Sequence, residues 1–284
     1  MDNNTVRIIE VGPRDGLQSL GTELPVELRI EWIKKLSSAG LCEIEAGSFV
    51  RHDRVPSMAN SEDVFRGSND LPIKHLWALV PNLRGWKRAS ESGATAFAFF
   101  TSASETFSQK NSSCSIEQSI EKFSEIKQAV NGSPLRAYLS CSFGCPYEDQ
   151  IPVKNVAQWA KKLQLAGADE IVISDTTGVA TKASVSSIAS AVLAEISVQK
   201  VSLHLHDTHG SAVDCARVGW ESGIRSFDSS AGGLGGCPFA PGAPGNVATE
   251  DLVSLFESLG IDTGIDLQQL KESSAWLAGI IQSL

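Results

Sequence analysis

With 24 basic against 33 acidic side chains, this chain of 284 residues has a formal charge of −9, which argues against a general nucleic-acid or anionic-membrane binder. At 42% hydrophobic and 20% charged residues it is neither disordered nor fibrous, and its length suits a single α/β barrel as well as two smaller domains. No apolar run approaches the roughly 20 residues of a membrane span, and the six cysteines include no C-x-x-C pair, so a reducing compartment is expected.

A strand-like run, V-R-I-I-E-V (6–11), comes first, and G-P-R-D-G follows it. It begins so early that no leader is expected ahead of it, and a cytoplasmic protein is the natural reading. Residues 25–39 are helical in pattern and run into S-A-G-L-C-E-I-E-A (38–46), a small residue plus Gly with an apolar β-rich run at once behind it. The same design returns at E-S-G-A-T-A-F-A-F-F (91–100), L-A-G-A-D-E-I-V-I-S (165–174) and E-S-G-I-R-S-F-D-S-S (221–230). Glycine there supplies the left-handed end of a helix, and the short apolar run suits a buried parallel strand. Between these repeats lie K-H-L-W-A-L-V (74–80), R-A-Y-L-S (136–140) and V-S-L-H-L-H (201–206), with helical patterns at 83–92, 116–130, 153–167, 184–195 and 211–223. Eight alternating units predict an α/β fold, a (β/α)8 TIM barrel with its active site at the C-terminal strand ends. An open doubly wound sheet would place G-x-G-x-x-G after the first strand, and none stands there. One barrel domain over 1–284 is therefore expected, with a helical extension from about 267. The stretches 48–71, 102–115 and 229–245 lack periodicity, follow strand candidates, and read as long loops of the catalytic face.

L-H-L-H is the sharpest chemical feature. Positions i and i+2 of a strand share a face, so His204 and His206 point together and can hold one cation, or can be a hydrogen-bonded pair in a barrel layer. Asp207 follows, to orient an imidazole or to cap the next helix. Asp15 closes the first strand beside Glu10 and Arg14, as a third ligand or as a turn residue. Glu45 and Asp175 end two further strands, where a carboxylate can serve chemistry, a helix cap or an ion pair. G-G-L-G-G-C-P-F-A-P-G-A-P-G-N (232–246) reads as a shaped lid, with Cys237 either reactive or inert and Asn246 either a helix cap or an oxygen ligand. Two imidazoles with Asp and Asn oxygens favour Mg²⁺ or Mn²⁺ over structural zinc.

Together E-V-G-P-R-D-G-L-Q, I-E-A-G-S-F-V, H-x-H-D-T and G-G-L-G-G-C-P-F-A-P-G-A-P-G-N-V-A-T-E-D-L-V resemble the 3-hydroxy-3-methylglutaryl-CoA lyase family. K-N-S-S-C-S-I-E (110–117), C-S-F-G-C-P-Y-E (141–148) and D-T-T-G-V (175–179) support the likeness, which runs in order from about residue 6 to 266. The resemblance implies a divalent cation, Mg²⁺ or Mn²⁺, held by Asp15, His204, His206 and Asn246. It implies that Arg14 meets the reacting carbonyl region, that Cys237 works on the flexible loop, and that Glu45, Gln18 and Asp175 line the site. The expected catalytic set is thus Arg14, Cys237, Glu45, Asp175 and His204, with Gln18, Ser48, Lys110, Asn111 and Tyr138 expected to bind substrate. An acyl-CoA thioester is the implied small-molecule substrate, and the expected assembly is a homodimer without nucleic acid or membrane. Arg51, Arg54 and Lys110 stand where an acidic protein needs a basic mouth for CoA phosphates, or are solvated loop cations. A Claisen-type acyl-CoA/2-keto acid condensing enzyme, of the isopropylmalate synthase-like group, is the alternative. Such synthases usually carry a C-terminal regulatory domain, and only about eighteen residues follow Asp266 here.

Overall fold

All eight expected strand segments form in the computed structural model, which describes residues 5–20, 23–148, 150–235 and 245–283. They are β1 (Arg7–Glu10), β2 (Glu43–Ser48), β3 (His75–Leu79), β4 (Ala96–Ser102), β5 (Leu135–Ser140), β6 (Glu170–Ser174), β7 (Val201–His204) and β8 (Ser226–Ser229). Every pairing is parallel, each strand lies beside its neighbour in sequence, and β8 closes onto β1 from Arg7–Ser226 to Glu10–Ser229. Gly40, Gly93, Gly167 and Gly223, the repeat glycines, take φ between 98° and 101°, the left-handed turn that ends each helix ahead of its strand.

The helices are α1 (Val26–Ser38), α2 (Ser61–Ser68), α3 (Leu83–Glu91), α4 (Glu105–Ser112), α5 (Ile116–Ala129), α6 (Val153–Leu165), α7 (Lys182–Leu193), α8 (Ala212–Glu221), α9 (Thr249–Ser258) and α10 (Leu267–Ser283). Two of them correct the sequence reading, because α2 and α4 lie in stretches that read as irregular loops. Both are eight residues long, too short for an apolar period to show. Local capping starts α4: Ser104 Oγ accepts from the Phe107 amide at 3.0 Å.

Side chains alternate between two cores. Ile44, Leu76, Phe97, Leu135, Ile171, Leu203 and Phe227 belong to the large apolar cluster that joins the barrel to its helices. The opposite faces fill the lumen, where Ile9, Val11, Trp77 and Ala96 form one cluster and Leu79, Ala98, Tyr138 and Val172 another. Charges are threaded between these apolar groups. At the N-terminal end Arg7 donates to Glu43 (2.8 and 2.7 Å) and to Glu170 (2.9 Å), tying β1 to β2 and β6 across the lumen. Arg136 of β5, fully buried, donates to Asp228 of β8 at 2.6 Å. Aromatic rings separate the guanidiniums, with Trp77 between Arg7 (5.9 Å) and Arg136 (5.5 Å), and Tyr138 between Arg136 (5.1 Å) and Arg14 (5.3 Å).

Glu10 points the other way, toward α9, and joins the two ends of the barrel sequence. Its carboxylate accepts from the amides of Gly12 (2.7 Å) and Ala231 (3.0 Å) and from the Thr249 hydroxyl (2.6 Å). Gly12 has to be glycine for this contact, since a Cβ there would sit 2.5 Å from Glu10 Oε1. Burial, only partly offset by these donors, pushes the Glu10 carboxyl up to about 7 from an ordinary 4.5. A carboxyl with a raised folded pKa contributes stability that is fully present below its unfolded value and is lost as pH rises through the folded one. Wild-type stability to urea should therefore fall between pH ~5 and ~8 by an amount of order 3 kcal/mol that Glu10→Gln no longer shows. Urea midpoints of both proteins across that range check it, and parallel pH profiles would refute it.

Candidate active site and metal centre

His204 closes β7 and His206 follows two residues on, so both imidazoles enter the lumen while Leu203 and Leu205 join the outer core. Asp15 arrives from β1 on a π-helical turn, Gly12–Gly16, whose amides at Arg14, Asp15 and Gly16 all turn back to the Val11 carbonyl. The third arm comes from the far side of the glycine-rich loop. There the Asp207 amide donates to Gly245 O (2.8 Å) and Val247 to Leu205 O (2.9 Å), so that Asn246 pairs with His206 as a strand-like bridge. Asn246 is therefore no helix cap, for Ala248 holds the N-cap position of α9.

These residues meet closely. The two Nε2 atoms lie 3.2 Å apart, and Asp15 Oδ2 stands 4.0 Å from that of His204 and 3.9 Å from that of His206. Asn246 Nδ2 donates to Asp15 Oδ2 (2.8 Å) and to Leu234 O (3.0 Å), while its buried Oδ1 has no partner, nor has His206 Nδ1. Such a group fits a divalent cation. Two ligands at right angles on an ion with bonds of about 2.1 Å sit about 3 Å apart, close to the imidazole spacing. An orphaned amide oxygen and a carboxylate complete a mixed N/O donor set suited to Mg²⁺ or Mn²⁺. The lumen charges agree: Arg7, Arg136 and Arg14 face Glu43, Glu170, Asp228, Glu45 and Asp15, an excess of negative charge that a dication would balance.

Arg14 is almost wholly buried and is bonded by Nε to Glu45 Oε1 and by Nη1 to Asp15 Oδ1. Burial opposes its charge, but Glu45 and Asp15 outweigh burial and raise its pKa above the ordinary guanidinium value. Asp15 is likewise desolvated, yet Arg14 and the two imidazoles hold its carboxyl well below the usual range. Tyr138 donates its hydroxyl to Glu45 Oε2 at 2.7 Å, and burial with the nearby Asp228 and Glu45 charges keeps that phenol neutral.

The other expected residues lie around this centre in different ways. Ser48 ends β2 buried, with its hydroxyl unpartnered. Asp175 is buried at the end of β6, where its two oxygens accept from the Val179 (3.0 Å) and Ala180 (2.9 Å) amides and shape the following loop. Burial pushes its carboxyl up in spite of those amides. Asp207 takes the capping role, accepting from the Ala212 amide at 2.8 Å. Gln18 lines a cavity of about 360 Å³ with Leu20, Arg54 and Ser57. Arg51, by contrast, pairs with Asp53 on the surface (2.6 Å), Lys110 lies 3.9 Å from the Tyr147 ring centre, and Asn111 lines a shallow depression beside Ser102. The three cations of the expected basic mouth thus have three different settings. Cys237 lies outside the described residues. Its loop leaves and returns through one neck, where a Cβ on Gly245 would sit 2.1 Å from the Gly235 carbonyl oxygen.

Sequence reasoning missed Asp228 and Arg136. Asp228 Oδ2 lies 3.3 Å from His204 Nδ1, and Arg136 holds its other oxygen. The available signal was a charge inside each of two strand runs, F-D-S-S and R-A-Y-L-S.

A closed parallel barrel with an acid, two imidazoles and an amide at its C-terminal mouth defines a (β/α)8 enzyme with a candidate metal centre. The HMGL-like family model matches residues 5–276. The chain is 43% identical over 278 residues to the mitochondrial hydroxymethylglutaryl-CoA lyase of Gallus gallus, covering 97% of this chain and 93% of that one. An HMG-CoA lyase crystal structure from Brucella melitensis superposes with a TM-score of 0.96 at 39% identity, over 98% of this chain and 99% of that one. One from Acinetobacter baumannii, in complex with coenzyme A and 3-methylmalate, gives 0.94 at 38%, over 99% and 93%. Curated relatives carry both mitochondrial and cytoplasmic names. This chain belongs to the hydroxymethylglutaryl-CoA lyase family, a family of carbon–carbon lyases. Gly245→Ala should force the neck apart, draw Asn246 from His206 and cost about tenfold in divalent-ion affinity. Titration with Mn²⁺ reads that loss, far-UV circular dichroism should stay unchanged, and wild-type affinity would show that the neck does not set the site.

Proposed function

We propose that this protein cleaves 3-hydroxy-3-methylglutaryl-CoA, or a close 3-hydroxy-3-alkylglutaryl-CoA, to acetyl-CoA and acetoacetate or the matching 3-keto acid. One observation carries the reading: the Asp15–His204–His206–Asn246 donor set shares a barrel mouth with a buried, pre-aimed guanidinium, Arg14. Breaking C2–C3 requires that the C3 hydroxyl lose its proton while the bond pair moves to C2 and the thioester carbonyl. C2 must then gain a proton. Asp15, His204, His206 and Asn246 would hold a divalent ion, Mg²⁺ or Mn²⁺, whose charge would acidify the hydroxyl.

Arg14 places permanent positive charge beside the thioester carbonyl, where enolate charge develops. Glu45 anchors its Nε and is in turn anchored by Tyr138, so the planar fork is set before substrate arrives. Asp175 shapes a loop at the same rim, and Ser48 offers a free hydroxyl. Gln18, with Arg54 across the same cavity, suits the CoA arm, and Lys110 and Asn111 belong to the substrate-binding set. Cys237 suits the role of proton donor to C2, since a thiol is far more acidic than a hydroxyl. The relatives reported above are lyases, which does not favour the condensing alternative.

A cytoplasmic setting fits the cysteines, since Cys42, Cys114, Cys141, Cys145 and Cys215 are all free thiols. Among the described residues no helix is long and apolar enough to cross a membrane. The homodimer is part of the proposal too, and light scattering against the 30.3 kDa chain mass decides it.

Incubation with a panel of 3-hydroxy-3-alkylglutaryl-CoA thioesters and Mg²⁺ should yield acetyl-CoA plus one 3-keto acid, identified by mass. Stripping the ion with EDTA should abolish turnover, and full activity of rigorously metal-free protein would sink the reading. Variants separate the roles. Asp15→Ala should weaken Mn²⁺ binding, whereas Arg14→Ala should keep most of it and lose about 10²–10³ in kcat. Cys237→Ser should fold and bind Mn²⁺ normally yet lose on the order of 10²–10⁴ in kcat, and near wild-type turnover would make the thiol a bystander.

A further inference from the structure

The two imidazoles of the candidate metal centre are held differently. His206 Nδ1 is buried without a hydrogen-bond partner, so no carboxylate stands behind that ring to hold a proton on Nδ1. His204 Nδ1 faces Asp228 Oδ2 at 3.3 Å, deep in the lumen. Arg136, which can only donate, occupies the other oxygen of that carboxylate at 2.6 Å and is itself fully buried. Arg136 also lies 3.7 Å from Glu170, so its charge is matched on two sides and it cannot swing away without stripping Asp228 of its ion-pair partner. On the remaining side the Tyr138 ring meets the His204 ring edge-on, centres 5.8 Å apart at 87°, and limits its tilt. Asp228 is therefore a pure acceptor with a fixed orientation.

We propose that Asp228, clamped by Arg136, fixes the His204 proton on Nδ1 and so keeps Nε2 free to hold the divalent cation. Asp228 is a positioning residue, acting through His204 and not on substrate. The inference rests on the metal centre proposed above, but its core, the placement of one proton, concerns the metal-free protein. With the His204 proton on Nδ1, its Nε2 is an acceptor that faces His206 Nε2 at 3.2 Å, the position from which both nitrogens can reach one cation. The same geometry dictates what an amide would do. In Asp228→Asn, Arg136 claims the amide oxygen, and the NH₂ group then faces His204 Nδ1. Nδ1 must accept, the proton moves to Nε2, and the ligand position is blocked.

The test uses ¹⁵N imidazole spectra of the full-length, metal-free protein, recorded well above the usual imidazole pKa of about 6.5. Wild-type His204 should show the Nδ1–H tautomer and Asp228→Asn the Nε2–H tautomer, with His206 as an internal reference in both. Electron paramagnetic resonance titration with Mn²⁺ should show affinity reduced 10- to 100-fold in the variant. A wild-type His204 protonated on Nε2 would overturn the proposal, and so would a variant with unchanged tautomer or unchanged Mn²⁺ affinity. Should Asp228→Asn fail to fold, the wild-type tautomer still decides. Wild-type protein that carries the Nδ1 proton but binds no Mn²⁺ would overturn the metal centre and not the proton placement.

Discussion

A charge held in an apolar lumen has to be matched on the spot, and three arginines of this barrel stand in that position. Arg7, Arg136 and Arg14 are stacked through Trp77 and Tyr138, and each is paired with carboxylates from other strands. Removing one partner of such a pair costs roughly 3–5 kcal/mol, because the other charge is stranded. The pairs therefore act as fasteners across the lumen. Arg7 joins β1 to β2 and β6, Arg136 joins β5 to β8, and Arg14 joins the first loop to β2. Closure of the barrel and placement of its polar groups are thus one problem with one solution.

The same column carries structural rigidity to the chemistry. At its mouth Arg14 is bonded to Asp15, and Asp228, which serves Arg136, also touches His204. The candidate ligands are thus the end of a chain of matched charges that begins on the opposite face of the barrel. An open surface cluster of the same residues would be solvated, mobile and weakly basic. Here desolvation raises the stakes of each contact, and an excess of negative charge is what remains for a cation.

The glycine-rich loop meets a different constraint. Its two described ends approach so closely that neither Gly235 nor Gly245 has room for a side chain. That neck, and the strand-like pairing of residues 205–207 with 245–247, delivers Asn246 to the imidazoles. Glu10 braces the start of the loop at Ala231 from the back of β1. Both described arms of the loop are thereby anchored beside the candidate ligands.

Much was determined by local pattern alone. The four small-residue-plus-Gly repeats announce strand after helix because left-handed φ is a property of one residue, and with four further apolar runs they make eight units that permit little besides a closed parallel sheet. His204 and His206 were legible for the same reason, since two residues apart in a strand means one face. Short helices such as α2 and α4 were not, because their few turns show no period and owe their form to neighbours. Whether Asn246 caps a helix, whether Asp207 orients an imidazole or caps the next helix, and whether Asp175 is free for chemistry or bonded to its own loop lay beyond the sequence as well. Such side chains can bond in several ways, and only the folded backbone shows that Ala248 holds the N-cap position of α9 and that Asp207 and Asp175 accept from amides four or five residues ahead. Arg136 and Asp228 are the extreme case. They stand 92 residues apart, and nothing local distinguishes an inward charge from a surface one. Closure of the barrel put them 2.6 Å from each other and out of water, and that proximity gives them their roles.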